Sequence, residues 1–385
     1  MNLEITKLTG DLAPYSKEIK FQVISILTKF VSFGFSSVFE KVEEGPIIRT
    51  YFFKPSDMSP LSRINGREED IALSLNVESI MMKRELQYLT IGVPKAERTI
   101  IKFDSILFKM LTTEVVKSMT LHILMGQTPK GEELYADLAT QPHLLIAGTT
   151  GSGKSIFTSQ VICSLALLHA PSTLNFTLVD TKQLDLTLFD GLPHIGKVVR
   201  DIHGLRQTLL DLLDEVRLRT EAMSGLVRNI KEWNKNPLGS KYKYKILIID
   251  EFADVLDSDK EYLSQLHPKM RPQPIDVLVK RLAQISRAAG VHLIVATQRP
   301  SVKIISGDIK TNFPARICFK LPSMQDSRVV LDENGAERLL GAGDYLYKMS
   351  GSDIVKRAHS AFVSVHDIAN IINQSEDLRR QYIKD

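Results

Sequence analysis

Leu144-Leu145-Ile146-Ala147-Gly148-Thr149-Thr150-Gly151-Ser152-Gly153-Lys154-Ser155 is the stretch that decides the fold. Its first four residues are apolar without alternation, so they suit a strand covered on both faces. The next eight satisfy G-x-x-x-x-G-K-[ST] in full. Glycines at this spacing let successive backbone N–H groups turn inward around phosphate oxygens, and the helix that starts at Lys154 adds its positive end. Gly148, Thr149, Thr150, Gly151, Ser152, Gly153, Lys154 and Ser155 therefore form the expected nucleotide cradle. Lys154 is expected to reach the β- and γ-phosphates, and the Ser155 hydroxyl to ligate Mg²⁺, which makes ATP and Mg²⁺ the implied cofactors.

Working outward, short apolar runs recur at Phe176 to Val179, Ile246 to Ile249, His292 to Ala296 and Arg316 to Phe319. Helical stretches fit Lys154 to Leu168 (an amphipathic helix leading out of the loop), His203 to Leu226 and Asp276 to Ala289. Apolar strands with helical crossovers predict an α/β core built on a mainly parallel sheet. Gly343 to Val365 returns to alternation and predicts antiparallel strands. A last helix is expected over Asp367 to Lys384.

The run Lys245-Ile246-Leu247-Ile248-Ile249-Asp250-Glu251 ends in two carboxylates. Asp250 suits a Mg²⁺-supporting role at the C-terminal edge of a parallel sheet. Glu251 is positioned to orient and deprotonate an attacking water, which points to hydrolysis. The alternative for this pair is an N-cap for the helix that follows. Ile294-Val295-Ala296-Thr297-Gln298 ends in a polar pair, and Gln298 would face the γ-phosphate if this strand lies beside that of Asp250. Spacing alone cannot choose an arginine finger among Arg281, Arg287, Arg299 and Arg316.

The N-terminal part reads differently. Ile19, Val23, Ile26, Leu27, Phe30 and Val31 repeat at helical spacing, with Glu18, Gln22, Ser25 and Lys29 expected on the opposite face. A short strand-like start precedes this helix. A break at Glu43-Glu44-Gly45-Pro46 is followed by alternating segments at Ile47 to Phe53 and Leu86 to Val93, with a helix at Asp70 to Leu75. This predicts a small α+β subdomain over 1–125, a connector over 126–142, the motor over 143–366 and a closing helix over 367–385.

The 385 residues suit two or three domains, and 43% hydrophobic content excludes global disorder. Two cysteines, Cys163 and Cys318, supply neither a disulfide framework nor a cysteine zinc site, and fit a reducing cytoplasm. No stretch reads as a membrane span or signal peptide, so no direct membrane insertion is expected. The net charge of +4 is uneven: residues 268–385 hold 18 Lys/Arg against 12 Asp/Glu, and the remainder 31 against 33. The basic excess of the last third suggests a polyanion partner.

Several stretches together carry a family likeness. They are Pro142-His143-Leu144-Leu145 into the loop, Gly191-Leu192-Pro193-His194, Asp250-Glu251-Phe252-Ala253-Asp254 and Arg281-Leu282-Ala283-Gln284. They continue with Arg287-Ala288-Ala289-Gly290-Val291-His292, Ala296-Thr297-Gln298-Arg299-Pro300-Ser301-Val302, Asp326-Ser327-Arg328 and Gly335-Ala336-Glu337. The segment from Gln141 to Val365 resembles the motor of FtsK/SpoIIIE-type DNA translocases. The resemblance implies a RecA-like P-loop ATPase core behind a smaller α subdomain, and a homo-oligomeric, hexameric ring that moves double-stranded DNA through its channel. It implies that Arg316 is a trans-acting finger, and that Arg328, Arg338, Lys356 and Arg357 lie on DNA-facing loops, where such side chains neutralise phosphates without reading sequence.

This chain departs from the family pattern at Thr181-Lys182, where a Pro-Lys pair is expected, and at Ser258 to Pro274, which reads as an extra loop. Neither membrane helices nor a winged-helix domain is read in it, so the expectation is a bare cytoplasmic motor, with an accessory loading or anchoring protein possible. A plasmid, mobile element, virus or defence system is the expected setting. Two other readings remain open: a coupling or packaging ATPase for single-stranded DNA or nucleoprotein, and a slowly hydrolysing, nucleotide-gated scaffold.

Overall fold

Ser16 caps α1 (Lys17–Ser32), its Oγ accepting from the Ile19 N–H at 3.3 Å. The computed structural model describes residues 8–56, 60–236 and 240–382, so the strand-like start expected before Leu8 lies outside the described residues. Ile19, Val23, Ile26, Leu27 and Phe30 of α1 pack on one face of a four-stranded antiparallel sheet. Its strands are β1 (Ser37–Glu44), β2 (Ile48–Pro55), β3 (Met81–Glu85) and β4 (Tyr88–Pro94), in the order β1-β2-β4-β3. Helix α2 (Glu68–Ser74) adds Ile71 and Ala72 to this core. Gln22, expected on the polar face, is buried and accepts a hydrogen bond from the Tyr51 hydroxyl. Gln22 follows Ile19 by three residues and precedes Ile26 by four, so it lies at the margin of the apolar face, where the Tyr51 hydroxyl satisfies its amide oxygen.

The chain divides into two units, the first being Met1–Ile100 with Gln127–Glu132 and Arg338–Leu340. The division thus falls at Ile100, before the boundary expected at residue 125, because α3 (Phe103–Thr112) and most of β5 (His122–Gln127) belong to the second unit. The expected connector contains a strand, β6 (Glu133–Asp137).

The second unit is built on a ten-stranded sheet. After β5 and β6 come β7 (His143–Ala147), helix α4 (Lys154–Leu168), β8 (Leu174–Val179), β9 (Ile195–Val199), helix α5 (Ile202–Met223) and β10 (Tyr244–Ile249). Then follow helix α6 (Phe252–Gln265), helix α7 (Ile275–Ile285), β11 (Val291–Thr297), β12 (Ala315–Phe319), helix α8 (Met324–Leu331), β13 (Asp344–Lys348), β14 (Lys356–His359) and helix α9 (Val365–Tyr382). The sheet order is β6-β5-β14-β13-β12-β7-β11-β10-β8-β9. Strands β7 to β12 pair in parallel, so all six end at one edge, while β13 and β14 return antiparallel as the alternation predicted.

Two readings change. Helix α4 is not amphipathic: Phe157 to Leu167 are all buried, because α9 covers the side that would otherwise face solvent. The stretch from Ser258 to Pro274 is not simply a loop, since α6 continues to Gln265. There Asp259 is buried, pairs with Arg206 and accepts from the Ile275 N–H at 2.9 Å, anchoring the start of α7. Both cysteines are free and buried.

His143 and His292 begin neighbouring strands, each less than 2% exposed. His143 Nδ1 accepts from the Leu293 N–H at 3.0 Å, and His292 Nδ1 donates to the Pro142 carbonyl at 2.9 Å. Burial pushes their pKa values down to about 3 and about 4. The folded protein keeps both rings neutral, whereas the unfolded chain takes up a proton near pH ~6.5. Their stabilising contribution is therefore complete above that pH and is lost as the pH falls towards 4. Melting temperature should fall more steeply with acidification in the wild type than in a His292→Gln variant, which keeps a donor for Pro142. Parallel curves would remove the histidines as the cause.

Candidate active site

Gly148 leaves β7 and donates to the Thr297 carbonyl at 3.2 Å, while the Thr149 N–H and hydroxyl both donate to the Lys320 carbonyl, at 3.1 and 3.0 Å. The loop is thereby strung between the ends of β11 and β12, the two neighbours of β7. Gly151 and Gly153 have φ of +75° and +112°, which side chains rarely adopt. At Gly153 a Cβ would also lie 2.6 Å from the Gly343 nitrogen. At Gly151 it would meet nothing within 4 Å, so that backbone turns towards open space. These are the demands of a loop that wraps an anion.

Lys154, the first residue of α4, is 3% exposed, and its Nζ donates to both the carbonyl and Oδ1 of Asp250 at 3.0 Å. Burial raises the Asp250 carboxyl above its ordinary value, with Lys154 opposing the rise. The Ser155 hydroxyl donates to Asp185 Oδ2 at 2.6 Å. Asp180, at the end of β8, accepts from the N–H groups of Gln183, Leu184 and Leu186 at 2.8 to 3.0 Å and so folds the turn that presents Asp185. Neither aspartate was singled out in the sequence, although Val179-Asp180 has the same apolar-run-to-acid form as Ile249-Asp250.

Ser155 and Asp250 fit a Mg²⁺ site of the usual kind, one hydroxyl and one carboxylate beside substrate phosphates. The described residues contain no cluster of three or more acidic, histidine or cysteine ligands that would hold a metal without phosphate.

Glu251 is 4% exposed. Its Oε1 accepts from the Thr297 hydroxyl at 2.7 Å and from the Ala253 N–H at 3.3 Å, and its Oε2 from the Gln298 N–H at 2.9 Å. The N-cap alternative is therefore realised, but it is only one of three bonds that aim this carboxylate. Strand β11 does lie beside β10, and Gln298 Oε1 accepts from the Thr150 hydroxyl at 2.7 Å. A continuous path thus runs from Thr150 in the loop through Gln298 to Glu251. Beside it, burial would raise the Asp254 carboxyl, but Lys182 at 2.6 Å and Arg299 at 2.5 Å hold it below its ordinary value. Lys182, the lysine retained where Thr181-Lys182 stands in place of the expected Pro-Lys pair, is thus joined to this edge.

The sequence matches the FtsK/SpoIIIE family over residues 109–302 and the FtsK alpha domain over residues 8–95. The chain belongs to the FtsK/SpoIIIE family. Curated relatives include the DNA translocase FtsK of Rickettsia prowazekii (strain Madrid E), 35% identical over 92% of this chain and 51% of the relative. That of Vibrio parahaemolyticus is 34% identical over 86% of this chain and 34% of its own length. The chain therefore spans about half, or less, of the relatives it matches. Among solved structures, the pCW3 conjugation coupling protein TcpA with ATPγS superposes with a TM-score of 0.64 at 24% identity, over 92% of this chain and 98% of that one. The cytoplasmic domain of the Thermomonospora curvata Type VII secretion ATPase EccC gives 0.59 at 23% identity, over 72% and 34%. Both share the P-loop ATPase fold.

Positions that the family likeness marked for contacts outside the protomer are placed unevenly. Arg328 on α8 and Lys356 on β14 are exposed, with no ion pair among the described residues. Arg338 pairs with Glu68 inside the first unit. Arg357 makes a two-pronged ion pair with Asp344 at 2.9 and 2.6 Å, their side chains 10% and 1% exposed. Arg316 is 8% exposed and donates to the carbonyls of Phe313, Val330 and Lys310 and to Asp332, the last at 2.6 Å. Every direction of the Arg316 and Arg357 forks in use points into its own unit, and turning outward would strand a buried acceptor. Arg357→Ala should cost about 3–5 kcal/mol in chemical denaturation by removing the two-pronged cationic partner of the buried Asp344 carboxylate. A loss below about 1 kcal/mol would show that the side chain is free to serve elsewhere.

Proposed function

We propose that this protein is an ATP-hydrolysing motor on double-stranded DNA that works in the cytoplasm as a ring of copies, hexameric by the family's habit. The observation that carries this reading is Glu251, a buried carboxylate held by Thr297 and Gln298 one residue beyond the acid that meets Lys154. A kinase-like site must exclude water, whereas this carboxylate is aimed to hold and deprotonate one.

Backbone N–H groups between Thr150 and Ser155, other than that of Ser152, cradle the phosphates of ATP, while those of Gly148 and Thr149 hold the loop in place. Lys154 exchanges Asp250 for the β- and γ-phosphate oxygens, an exchange of one anion for another that leaves its charge partnered throughout. Ser155 and Asp250 would hold Mg²⁺, which when bound neutralises charge on those phosphates. Glu251 takes the proton of the attacking water, and Thr297 fixes which oxygen faces it. Gln298, tied to Thr150, registers whether the γ-phosphate is present and passes that state along β11. The setting we favour is a plasmid, mobile element, virus or defence system, with an accessory protein for loading or anchoring.

ATP turnover measured without DNA, with single strands and with duplex tests the reading. Duplex should stimulate the wild type, and Glu251→Gln should lose turnover by at least about 10²-fold while still binding nucleotide. Preference for single strands would favour a coupling or packaging motor, and indifference to all DNA would overturn the motor reading.

A further inference from the structure

Segment 228–244, which leads into β10, reads Arg-Asn-Ile-Lys-Glu-Trp-Asn-Lys-Asn-Pro-Leu-Gly-Ser-Lys-Tyr-Lys-Tyr. It carries five basic residues, Arg228, Lys231, Lys235, Lys241 and Lys243, against Glu232 alone. All five are exposed, and among the described residues none makes an ion pair. The single acid is engaged, since Glu232 Oε2 accepts from the Arg228 N–H at 2.9 Å. Acids on the adjoining end of α5 are also matched: Glu215 pairs with Arg219 and Lys245, and Glu221 with Arg217. The segment therefore keeps a net charge of +4, five cations less one acid, and among the described residues none of its cations is held in an ion pair.

Its described residues, 228–236 and 240–244, are tied to one another. Trp233 stacks on Tyr242 with ring centroids 5.4 Å apart and planes at 13°, and Arg219 covers Tyr242 at 5.0 Å. Asn234 clamps Tyr242 from both sides of its peptide, donating to its carbonyl at 2.8 Å and accepting from its N–H at 2.9 Å. The turn before β11 joins the same platform, because the Ile230 N–H donates to the Ala288 carbonyl at 2.9 Å. This brings in exposed Arg287, also without an ion pair among the described residues. The whole cluster lies at the N-terminal edge of the parallel sheet, opposite the edge that holds the phosphate loop.

Six cations on one platform suit a polyanion whose charges are closely and regularly spaced. We propose that this edge is a second, sequence-blind contact for the phosphate backbone of duplex DNA, separate from α8 and β14, which carry Arg328 and Lys356. Lysine dominates it, and lysine meets phosphate as a point charge without the planar fork that reads bases. Stable anchoring in a lipid surface takes apolar burial as well as charge, and Leu226 is the one exposed large apolar side chain described in 224–244. The inference rests on the reading of the protein as a DNA motor.

The test is a salt titration of duplex affinity with the full chain. Combined replacement of Lys231, Lys235, Lys241 and Lys243 by alanine should weaken binding by more than about tenfold at moderate salt, and reduce the log–log salt slope by about 0.9 for each lysine that meets a phosphate. Replacing the same four with arginine should restore both, and DNA-free ATP turnover should be unchanged in either variant. An alanine variant with wild-type affinity and slope overturns the proposal. So does an unchanged slope combined with lost sedimentation on phosphatidylserine vesicles. A wild type that fails to bind duplex at all sinks the motor reading itself, which keeps the two failures distinct.

Discussion

Lys154 and Asp250 meet where neither reaches water, and the rest of the nucleotide edge is arranged around that contact. A buried ion pair is a poor way to stabilise a fold, because desolvation takes back most of what attraction contributes. Its value here is positional. It ties the first residue of the helix after the loop to the last residues of a strand two places away in the sheet. The loop can then be drawn tight only with glycine at 153, where the backbone passes 2.6 Å from where a Cβ would stand. Glu251 follows Asp250 directly, so whatever locates one carboxylate locates the other. Thr297 and Gln298 then close the circuit back to Thr150.

This hierarchy explains what could be read in the sequence. The runs at 143–147, 244–249 and 291–297 are central strands covered on both faces, and full burial leaves an unbroken apolar signature. The loop is legible because only glycine meets its backbone demands. Edge elements were not legible: β9 holds Gly196 and Lys197, both exposed, and β1 is half charged, as edge strands tend to be. The continuation of α6 to Gln265 was masked by the three prolines that follow it. Asp180 and Asp185 were missed because their role depends on a turn that brings a loop acid under Ser155, and no local spacing records that.

Charge shows the same limit from another side. A count finds the excess in the last third, but pairing decides which cations are available. Arg316 and Arg357 are spent on Asp332 and Asp344, and Arg338 on Glu68. The unspent cluster at 228–243 sits in the part of the chain where acids outnumber bases, so the average concealed it. A motor that must release and grip again benefits from such diffuse attraction, since many weak phosphate contacts hold without fixing a register.

The central claim is that the Thr150–Gln298–Glu251 path links phosphate occupancy to the hydrolytic carboxylate. A double-mutant cycle on ATP turnover, using Thr150→Val, Gln298→Ala and the pair, measures it most directly. The account predicts a coupling of about 1 kcal/mol or more, so that the double variant is little slower than the worse single one. Losses that simply add would contradict it.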